Sequence, residues 1–214
     1  MKLAPEGNII LYPLAVSWFL SIVFGYVYSL YGLYIIIGFL TVLLIFCINF
    51  FRDPKRIIPI QNNLIISPAD GKIIKIDDIE DQESGKKLIL ISIFLSVFNV
   101  HANRMPVDGK FSNVNYVEGD FLAAFDHKAS DKNERMEISI DTKFGLIIVK
   151  QIAGLVARRI FCYAKKGEKM SAGDRLGFIR FGSRTDIILP ANINLNIKIN
   201  QKVYGGETIL GQYD

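Results

Sequence analysis

The N-terminal part of the chain contains a long stretch, from Gly7 to Phe51, without a single acidic or basic residue. A bilayer core about 30 Å thick needs about 20 apolar residues per helix, so this stretch is long enough to cross a membrane twice. A break at residues 28–32 separates a predicted helix near Ile9–Tyr28 from a second near Leu33–Phe51. A single long, tilted span is the alternative. A cleaved signal peptide is disfavoured because the stretch is too long and a basic leader is almost missing.

Basic residues flank the apolar stretch, with Lys2 before it and Arg52, Lys55 and Arg56 after it. Cytoplasmic segments of membrane proteins carry an excess of Lys and Arg, so both ends are predicted to lie on the cytoplasmic side, as a hairpin requires. We therefore expect residues 1–56 to anchor the protein in a bacterial-type inner membrane. The remainder, residues 57–214, is expected in the cytoplasm.

Residues 57–214 consist of short β-type runs separated by turn residues, and no convincing amphipathic helix exceeds about two turns. The pattern predicts a mainly β domain, a compact sandwich or barrel, with glycine-closed hairpins like those of lipoyl carrier domains. The predicted strands are Leu64–Ile66, Lys72–Ile76, Lys87–Leu95, Lys110–Tyr116, Met136–Ile140, Leu146–Ile152, Val156–Tyr163, Gly177–Arg180, Thr185–Leu189 and Ile193–Ile199.

The net charge of +4 fits a domain held against an anionic leaflet. Basic and acidic residues are mixed, without the basic stripe of a nucleic-acid-binding protein, so no nucleic-acid partner is expected. Cys47 falls in the apolar stretch and Cys162 in a predicted strand, which favours two reduced thiols over a disulfide. No Cys-x-x-Cys motif or His cluster predicts a metal site.

The step Gly182-Ser183, within Leu176-Gly177-Phe178-Ile179-Arg180-Phe181-Gly182-Ser183-Arg184, is a candidate self-cleavage site. Glycine permits the backbone to bend, so that the serine hydroxyl can attack the preceding carbonyl. A simple turn is the alternative for an isolated Gly-Ser pair.

Two other residues could move protons near that serine. His101 follows the predicted strand Lys87–Leu95, and Asp70 lies at a turn before another strand. An acid and a histidine beside a serine permit proton removal and donation to a leaving group. His127, the only other histidine, is flanked by charges and is interpreted as a loop residue.

Five motifs occur in the same order as in a known family. They are Phe-Arg-Asp-Pro (51–54), Ser-Pro-Ala-Asp-Gly (67–71), Phe-Asn-Val-His-Ala-Asn-Arg-Met-Pro (98–106), Gln-Ile-Ala-Gly-Leu-Val-Ala-Arg-Arg-Ile (151–160) and Phe-Gly-Ser-Arg (181–184). From Phe51 to the C-terminus the chain closely resembles phosphatidylserine decarboxylase, in particular its short, membrane-anchored prokaryotic branch.

The resemblance implies a function and a cofactor. Ser183 would cleave the chain after Gly182 and become a covalent pyruvoyl group, with Asp70 and His101 assisting. The two fragments, residues 1–182 and 183–214, would stay together as a heterodimer, and this heterodimer could oligomerise further. The pyruvoyl group would react with the serine amine of phosphatidylserine and withdraw electrons as carbon dioxide leaves, which gives phosphatidylethanolamine.

One position departs from the family pattern. Many members carry a second histidine three residues after the first, and here that position is Arg104. Either His101 serves both cleavage and decarboxylation or another group supplies the base. The planar guanidinium of Arg104 suits a carboxylate or phosphate of the substrate. Arg158 and Arg159 are further candidates for headgroup contact, with surface solvation as the alternative.

A different class of function stays open at this point. The glycine hairpins and the Glu168-Lys169-Met170 sequence also suit a membrane-tethered lipoyl- or biotinyl-like carrier, with Lys169 bearing the prosthetic group. A third possibility is a relative that only binds anionic lipid and is never cleaved.

Overall fold

The computed structural model describes residues 2–28, 31–60, 63–81, 84–120, 132–154, 159–180 and 183–213. It divides into two compact units, Met1–Lys55 and Arg56–Asp214.

Two apolar helices dominate the first unit: α1, Asn8–Val27, and α2, Leu33–Phe50. Both are long and apolar enough to cross a membrane. They pack against each other, and the indole Nε1 of Trp18 donates a 2.8 Å hydrogen bond to Oγ1 of Thr41. Two short strands, β1 (Lys2–Leu3) and β2 (Arg52–Asp53), pair the segments that precede α1 and follow α2.

The second unit is built from antiparallel strands. They are β3 (Leu64–Ile66), β4 (Gly71–Glu80), β5 (Lys87–Leu95), β6 (Ala102–Arg104), β7 (Gly109–Val117), β8 (Arg135–Thr142), β9 (Gly145–Ala153), β10 (Ile160–Cys162), β11 (Lys169–Met170), β12 (Arg175–Ile179), β13 (Ser183–Pro190), β14 (Asn194–Leu195), β15 (Lys202–Val203) and β16 (Ile209–Gln212). The predicted mainly β fold with two apolar N-terminal helices is confirmed.

The main sheet has eight strands in the order β11-β7-β8-β9-β13-β5-β4-β15, and it curls into a half-barrel. Two three-stranded sheets, β10-β12-β6 and β14-β16-β3, accompany it. Every strand pairing within these sheets is antiparallel.

The core lies on one face of the main sheet because alternate residues of its strands are apolar. In β5, Ile89, Ile91, Ile93 and Leu95 are buried, and residues with period two point to the same face of a strand. Residues from the smaller sheets, including Ile65, Leu176 and Leu210, belong to the same apolar cluster. This arrangement makes β13 a buried central strand with neighbours on both sides.

Candidate active site

Ser183 is the first residue of β13 and is completely buried. It lies opposite Leu95 of β5 on one side and opposite Ala153 of β9 on the other. Its hydroxyl has no hydrogen-bond partner among the residues that the structure describes. Since buried polar groups are usually paired, this hydroxyl is a candidate for a reactive group. Gly182, the other half of the predicted cleavage site, lies outside the described residues.

A small amide network shares the face of the sheet on which Ser183 lies. Thr185, two residues along β13, is opposite Gln151 of β9. Gln151 Nε2 donates a 2.8 Å hydrogen bond to Oδ1 of Asn103, and all three side chains are buried. Asn103 Nδ2 and Gln151 Oε1 have no partner within the described part of the chain. A free amide donor is therefore available on the face that carries the Ser183 hydroxyl.

The close approach of β12 to this network depends on Gly177. A Cβ at this position would collide with the Phe161 carbonyl oxygen and lie 2.6 Å from Gln151 Nε2. Only glycine lets the backbone of β12 pass so near. β12 ends at Ile179, four residues before Ser183.

His101 is fully buried, between the end of β5 and β6. Its carbonyl accepts a hydrogen bond from the N–H of Ile179, four residues before Ser183, and its ring lies 6.4 Å from that of Phe178. Its Nδ1 lies 3.0 Å from the carbonyl oxygen of Asn99. A carbonyl oxygen only accepts, so Nδ1 carries the proton, and Nε2 of a neutral ring holds the lone pair of a base.

Asp70 lies at the same end of the sheet, because Lys72 pairs with Phe94 of β5 and Leu95 pairs with Ser183. Its buried carboxylate is held by the Arg56 guanidinium, with Nη2 2.7 and 2.9 Å from its two oxygens. The N–H of Gly205 donates a further 2.8 Å hydrogen bond to it.

Arg56 also binds a residue close to the C-terminus. Its Nη1 lies 3.3 Å from Oε2 of Glu207, whose Oε1 accepts a hydrogen bond from the N–H of Ile57. Arg56 and Asp70 precede position 183, whereas Gly205 and Glu207 follow it. The ion cluster therefore joins the two predicted fragments.

The arginines proposed for substrate contact occupy different places. Arg104 donates a 3.1 Å hydrogen bond from Nη1 to the Gly173 carbonyl. Arg159 is exposed, and its carbonyl accepts a hydrogen bond from the N–H of Arg180, a residue whose guanidinium lies 4.8 Å from the centre of the Phe161 ring. Arg158 and His127 lie outside the described residues.

The other face of β13 carries a buried ion pair. Arg184 Nε lies 2.6 Å from Oδ1 of Asp186, both side chains are only 1% exposed, and the guanidinium also donates to Oγ of Ser92. Arg184 is the residue directly after Ser183, so this pair fixes the backbone next to the candidate cleavage site.

Sequence reasoning assigned no role in the site to Arg56, Asn103, Gln151 or the Arg184–Asp186 pair. Gln151 could have been found as a lone amide in an apolar strand, and Asp186 as an acid inside a β-branched run. The role of Arg56 could not be predicted in this way, because in the sequence it is simply one of the basic residues that flank the apolar stretch.

Neither a metal site nor a carrier site appears in the described part of the chain. No group of His, Cys, Asp or Glu there could hold a metal ion. Lys169 lies in strand β11 opposite Lys110 rather than at the hairpin tip that a carrier requires. Burial raises the pKa of the Cys162 thiol, which favours an unreactive residue.

A family model described as phosphatidylserine decarboxylase matches residues 43–211, which include every residue of this site. The chain belongs to the phosphatidylserine decarboxylase family. Of its relatives, a phosphatidylserine decarboxylase proenzyme of Burkholderia cenocepacia (strain HI2424) is 47% identical over 173 residues, covering 80% of this chain and 81% of the relative. A phosphatidylserine decarboxylase proenzyme of Chlorobaculum tepidum is 48% identical over 169 residues, covering 79% and 78% respectively. Membership of this family confirms the resemblance inferred from the five motifs.

Proposed function

We propose that this protein decarboxylates phosphatidylserine to phosphatidylethanolamine and that Ser183 is the precursor of its pyruvoyl group. The observation that carries the proposal is the Ser183 hydroxyl, buried at the start of a central strand and without a partner among the described residues. A hydroxyl that is consumed during maturation needs no lasting hydrogen bond.

The surroundings of residue 183 fit a small carbonyl group. The side chains opposite it are those of Leu95 and Ala153, and neither brings a charge. A pyruvoyl group supplies an electron-withdrawing carbonyl that takes up the electrons released when carbon dioxide leaves.

Residues of the chain itself carry out the cleavage. His101 Nε2 accepts the hydroxyl proton of Ser183, whose oxygen attacks the Gly182 carbonyl carbon. Asn103 Nδ2 donates to the carbonyl oxygen as it becomes negative, the role of an oxyanion donor. His101 then returns the proton to the Ser183 nitrogen as the N–C bond breaks, which leaves an ester between Gly182 and the Ser183 oxygen and a free amine on residue 183.

A second proton transfer completes the cut. Loss of the α-proton of residue 183 expels the Gly182 carboxylate and leaves a dehydroalanine at the start of the smaller fragment. Addition of water and release of ammonia convert that residue to the pyruvoyl group. His101 is the base proposed for the α-proton as well, since it is the only histidine of the described site.

The two fragments stay associated because three strands of the smaller fragment pair with strands of the larger one. Its strand β13 lies between β5 and β9, β15 pairs with β4, and β16 pairs with β3. Each of these partner strands belongs to residues 1–182. We propose a stable heterodimer of the fragments as the mature enzyme.

The two apolar helices support membrane association. The basic residues Arg52, Lys55 and Arg56 that follow α2 favour the cytoplasmic side of a bacterial inner membrane for the catalytic unit, by the positive-inside tendency. This location also brings the catalytic unit to its lipid substrate.

Intact-mass analysis of the full chain, extracted in detergent, tests the proposal. We expect two species, residues 1–182 and residues 183–214, with the smaller one lacking ammonia and blocked at its N-terminus. Ser183→Ala should give one uncut chain of about 24.1 kDa without decarboxylase activity. An uncut wild-type chain that still releases carbon dioxide from phosphatidylserine would refute the pyruvoyl mechanism.

A further inference from the structure

A pocket of about 390 Å³ opens beside the candidate active site, at the end of β4, β5 and β15. Gly71, which follows Asp70, forms part of its wall. Asn99, whose carbonyl contacts the His101 ring, forms another part. The pocket thus adjoins Asp70 and His101, but it lies on the face of β5 that carries Phe94, whereas Ser183 lies opposite Leu95 on the other face.

Two exposed lysines, Lys72 of β4 and Lys202 of β15, line this pocket and are direct partners across the two strands. Like charges directly opposite each other in an antiparallel pair repel. Neither lysine forms an ion pair with any residue that the structure describes, and no acid lines the pocket. The pair therefore forms a small cationic site without a counter-charge in the described structure.

A second pair of opposed lysines, Lys110 and Lys169, shows the contrast. It also lines a pocket, but Asp108, Asp141 and Asp174 line that pocket too, and Asp141 lies directly opposite Lys110. Here the protein supplies the negative charge itself. At Lys72 and Lys202 no described residue supplies a negative charge.

Aromatic side chains of the lysine pocket are unusually exposed. Phe98 is 67% exposed and Tyr204 is 52% exposed, and both line the pocket beside the lysines. Exposed aromatic rings next to basic residues are typical of protein surfaces at the headgroup level of a membrane. This combination of basic and exposed aromatic residues favours a lipid phosphate over a soluble anion as the ligand of the pocket.

We propose that Lys72 and Lys202 bind the phosphodiester of an anionic phospholipid that neighbours the substrate in the bilayer. Phe98 and Tyr204 contact the lipid around it. The pocket docks the catalytic unit on an anionic membrane surface at the end of the main sheet where Asp70, His101 and Ser183 lie.

The geometry favours a neighbouring lipid over the substrate itself. Lys72 lies two strands from Ser183 and Lys202 lies three strands away, or about 10 and 14 Å at a strand spacing of about 4.8 Å. The amine and the phosphorus of a phosphoserine headgroup are separated by only about 5 Å at standard bond lengths. Lys72 pairs with Phe94, whereas Ser183 pairs with the next residue, Leu95, so the two lysines lie on the face of the sheet opposite Ser183. A substrate whose amine reaches residue 183 therefore does not place its own phosphate between the two lysines.

Chemical protection of lysines in the full chain tests this proposal without relying on activity. The protein is reconstituted in nanodiscs of phosphatidylcholine alone or with phosphatidylglycerol, which is anionic but not a substrate. Acetylation of each lysine by a water-soluble amine reagent is then followed by mass spectrometry. We expect acetylation of Lys72 and Lys202 to slow about fivefold in the anionic discs and to recover at high salt. Lys110 and Lys169 serve as the matched control and should react equally in both discs.

The same experiment with other lipids and with a soluble phosphate identifies the source of the phosphate. Phosphatidylserine in discs with the uncut Ser183→Ala protein should protect as phosphatidylglycerol does, and soluble glycerol phosphate with neutral discs should not protect. Protection by phosphatidylserine alone would make the pocket a substrate subsite, and protection by glycerol phosphate would make it a soluble-anion site. Either result would overturn the proposal, as would equal acetylation of all four lysines in both discs.

A charge-removing variant gives an independent readout. We expect added phosphatidylglycerol to stimulate decarboxylation by the wild type. Lys72→Gln with Lys202→Gln should remove this stimulation, whereas Lys110→Gln with Lys169→Gln should keep it. Equal stimulation in both double variants would contradict the docking role. Cleavage at position 183 should proceed in both, which separates this result from a failure of the proposed catalytic function.

Discussion

At the scale of single residues, His101 is the side chain that we propose moves protons at Ser183. Its Nδ1 is tied to the Asn99 carbonyl, and this leaves Nε2 as the basic nitrogen. Replacing it by Gln keeps a polar side chain but removes the base. We expect His101→Gln to slow self-cleavage by about 10²- to 10⁴-fold, the usual contribution of general acid–base catalysis. The measurement is a time course of fragment formation on a denaturing gel.

The chain offers a matched control for this experiment, because it contains only one other histidine, His127. His127→Gln should cleave at the wild-type rate. Rapid cleavage of His101→Gln would show that another group is the base. Arg104 occupies the position where many family members carry a second histidine. Rapid cleavage would therefore show that a group other than a histidine of this motif supplies the base for cleavage, and the base for decarboxylation would have to be sought separately.

Asp70 acts through its ion pair rather than as a free base, in our interpretation. Both partners are buried, with side chains 7% exposed. Arg56→Ala would leave a buried carboxylate without its guanidinium, which costs about 3–5 kcal/mol of unfolding free energy. Arg56→Lys should fall between, since an ammonium keeps the charge but cannot contact Asp70 and Glu207 through two separate nitrogens as the guanidinium does. Denaturant unfolding in detergent measures both.

A surface ion pair serves as the control for Arg56. Lys75→Ala breaks the Lys75–Asp77 pair, whose side chains are 31% and 45% exposed, and should cost about 1 kcal/mol or less. The cleavage rate distinguishes the two roles of Asp70. If it were the catalytic base, Arg56→Ala would free it and accelerate cleavage, whereas loss of the cluster should slow it.

The sequence predicts the chemically reactive residues of the site but not their partners. Motifs identified Asp70, His101 and Ser183 because each residue type carries recognisable chemistry. The partners of these residues could not be predicted, because Arg56 and Gly205 meet Asp70 only after distant segments have come together. The catalytic roles assigned to the three residues remain predictions that the experiments above address.

At the scale of elements, β13 depends on the buried Arg184–Asp186 pair beside the cleavage site. Asp186→Asn leaves the Arg184 charge buried without its carboxylate, and we expect a loss of about 3–5 kcal/mol in unfolding free energy. Replacing both residues by apolar ones, Arg184→Met with Asp186→Leu, should restore much of that stability, because well-packed apolar residues often replace a buried ion pair without loss of stability.

A less buried acid on β8, two strands from β13 in the main sheet, provides the control. Glu137 of β8 pairs with Arg135 and Lys150, and its side chain is 28% exposed. Water screens such pairs, so Glu137→Gln should cost about 1 kcal/mol or less. Equal losses of unfolding free energy in Asp186→Asn and Glu137→Gln would show that burial of the ion pair in β13 does not increase the cost of removing its carboxylate.

Long strands were the predictable elements of the fold. Lys87–Leu95 was predicted at its observed bounds, because alternating buried residues mark a half-buried strand. Ala102–Arg104 and Ile209–Gln212 were missed, since strands this short are defined by their partners rather than by a repeating pattern. The predicted strand Ile193–Ile199 exists only as Asn194–Leu195, where β16 supplies a partner.

At the scale of the whole molecule, the C-terminal segment locks the smaller fragment to the larger one. Tyr213 stacks on Phe144 at 4.4 Å between ring centres, and its N–H donates a 3.0 Å hydrogen bond to the Asn63 carbonyl. Its hydroxyl donates to the Pro190 carbonyl at 3.3 Å. Two of these three contacts cross from residues 183–214 to residues 1–182.

Burial raises the pKa of Tyr213 to about 12, against about 10 in an unfolded chain. The folded state therefore holds this proton more tightly, and the resulting stability is complete below pH 10 and is lost as the pH rises toward 12. At pH 11.5 the loss should reach about 2 kcal/mol. Tyr213→Phe keeps the ring on Phe144 but cannot ionise, so its unfolding free energy should fall by about 2 kcal/mol less than that of the wild type between pH 8 and pH 11.5. Urea unfolding at both pH values measures this difference. If Tyr213→Phe loses as much stability as the wild type, the hydroxyl ionises as freely in the folded protein as in the unfolded chain.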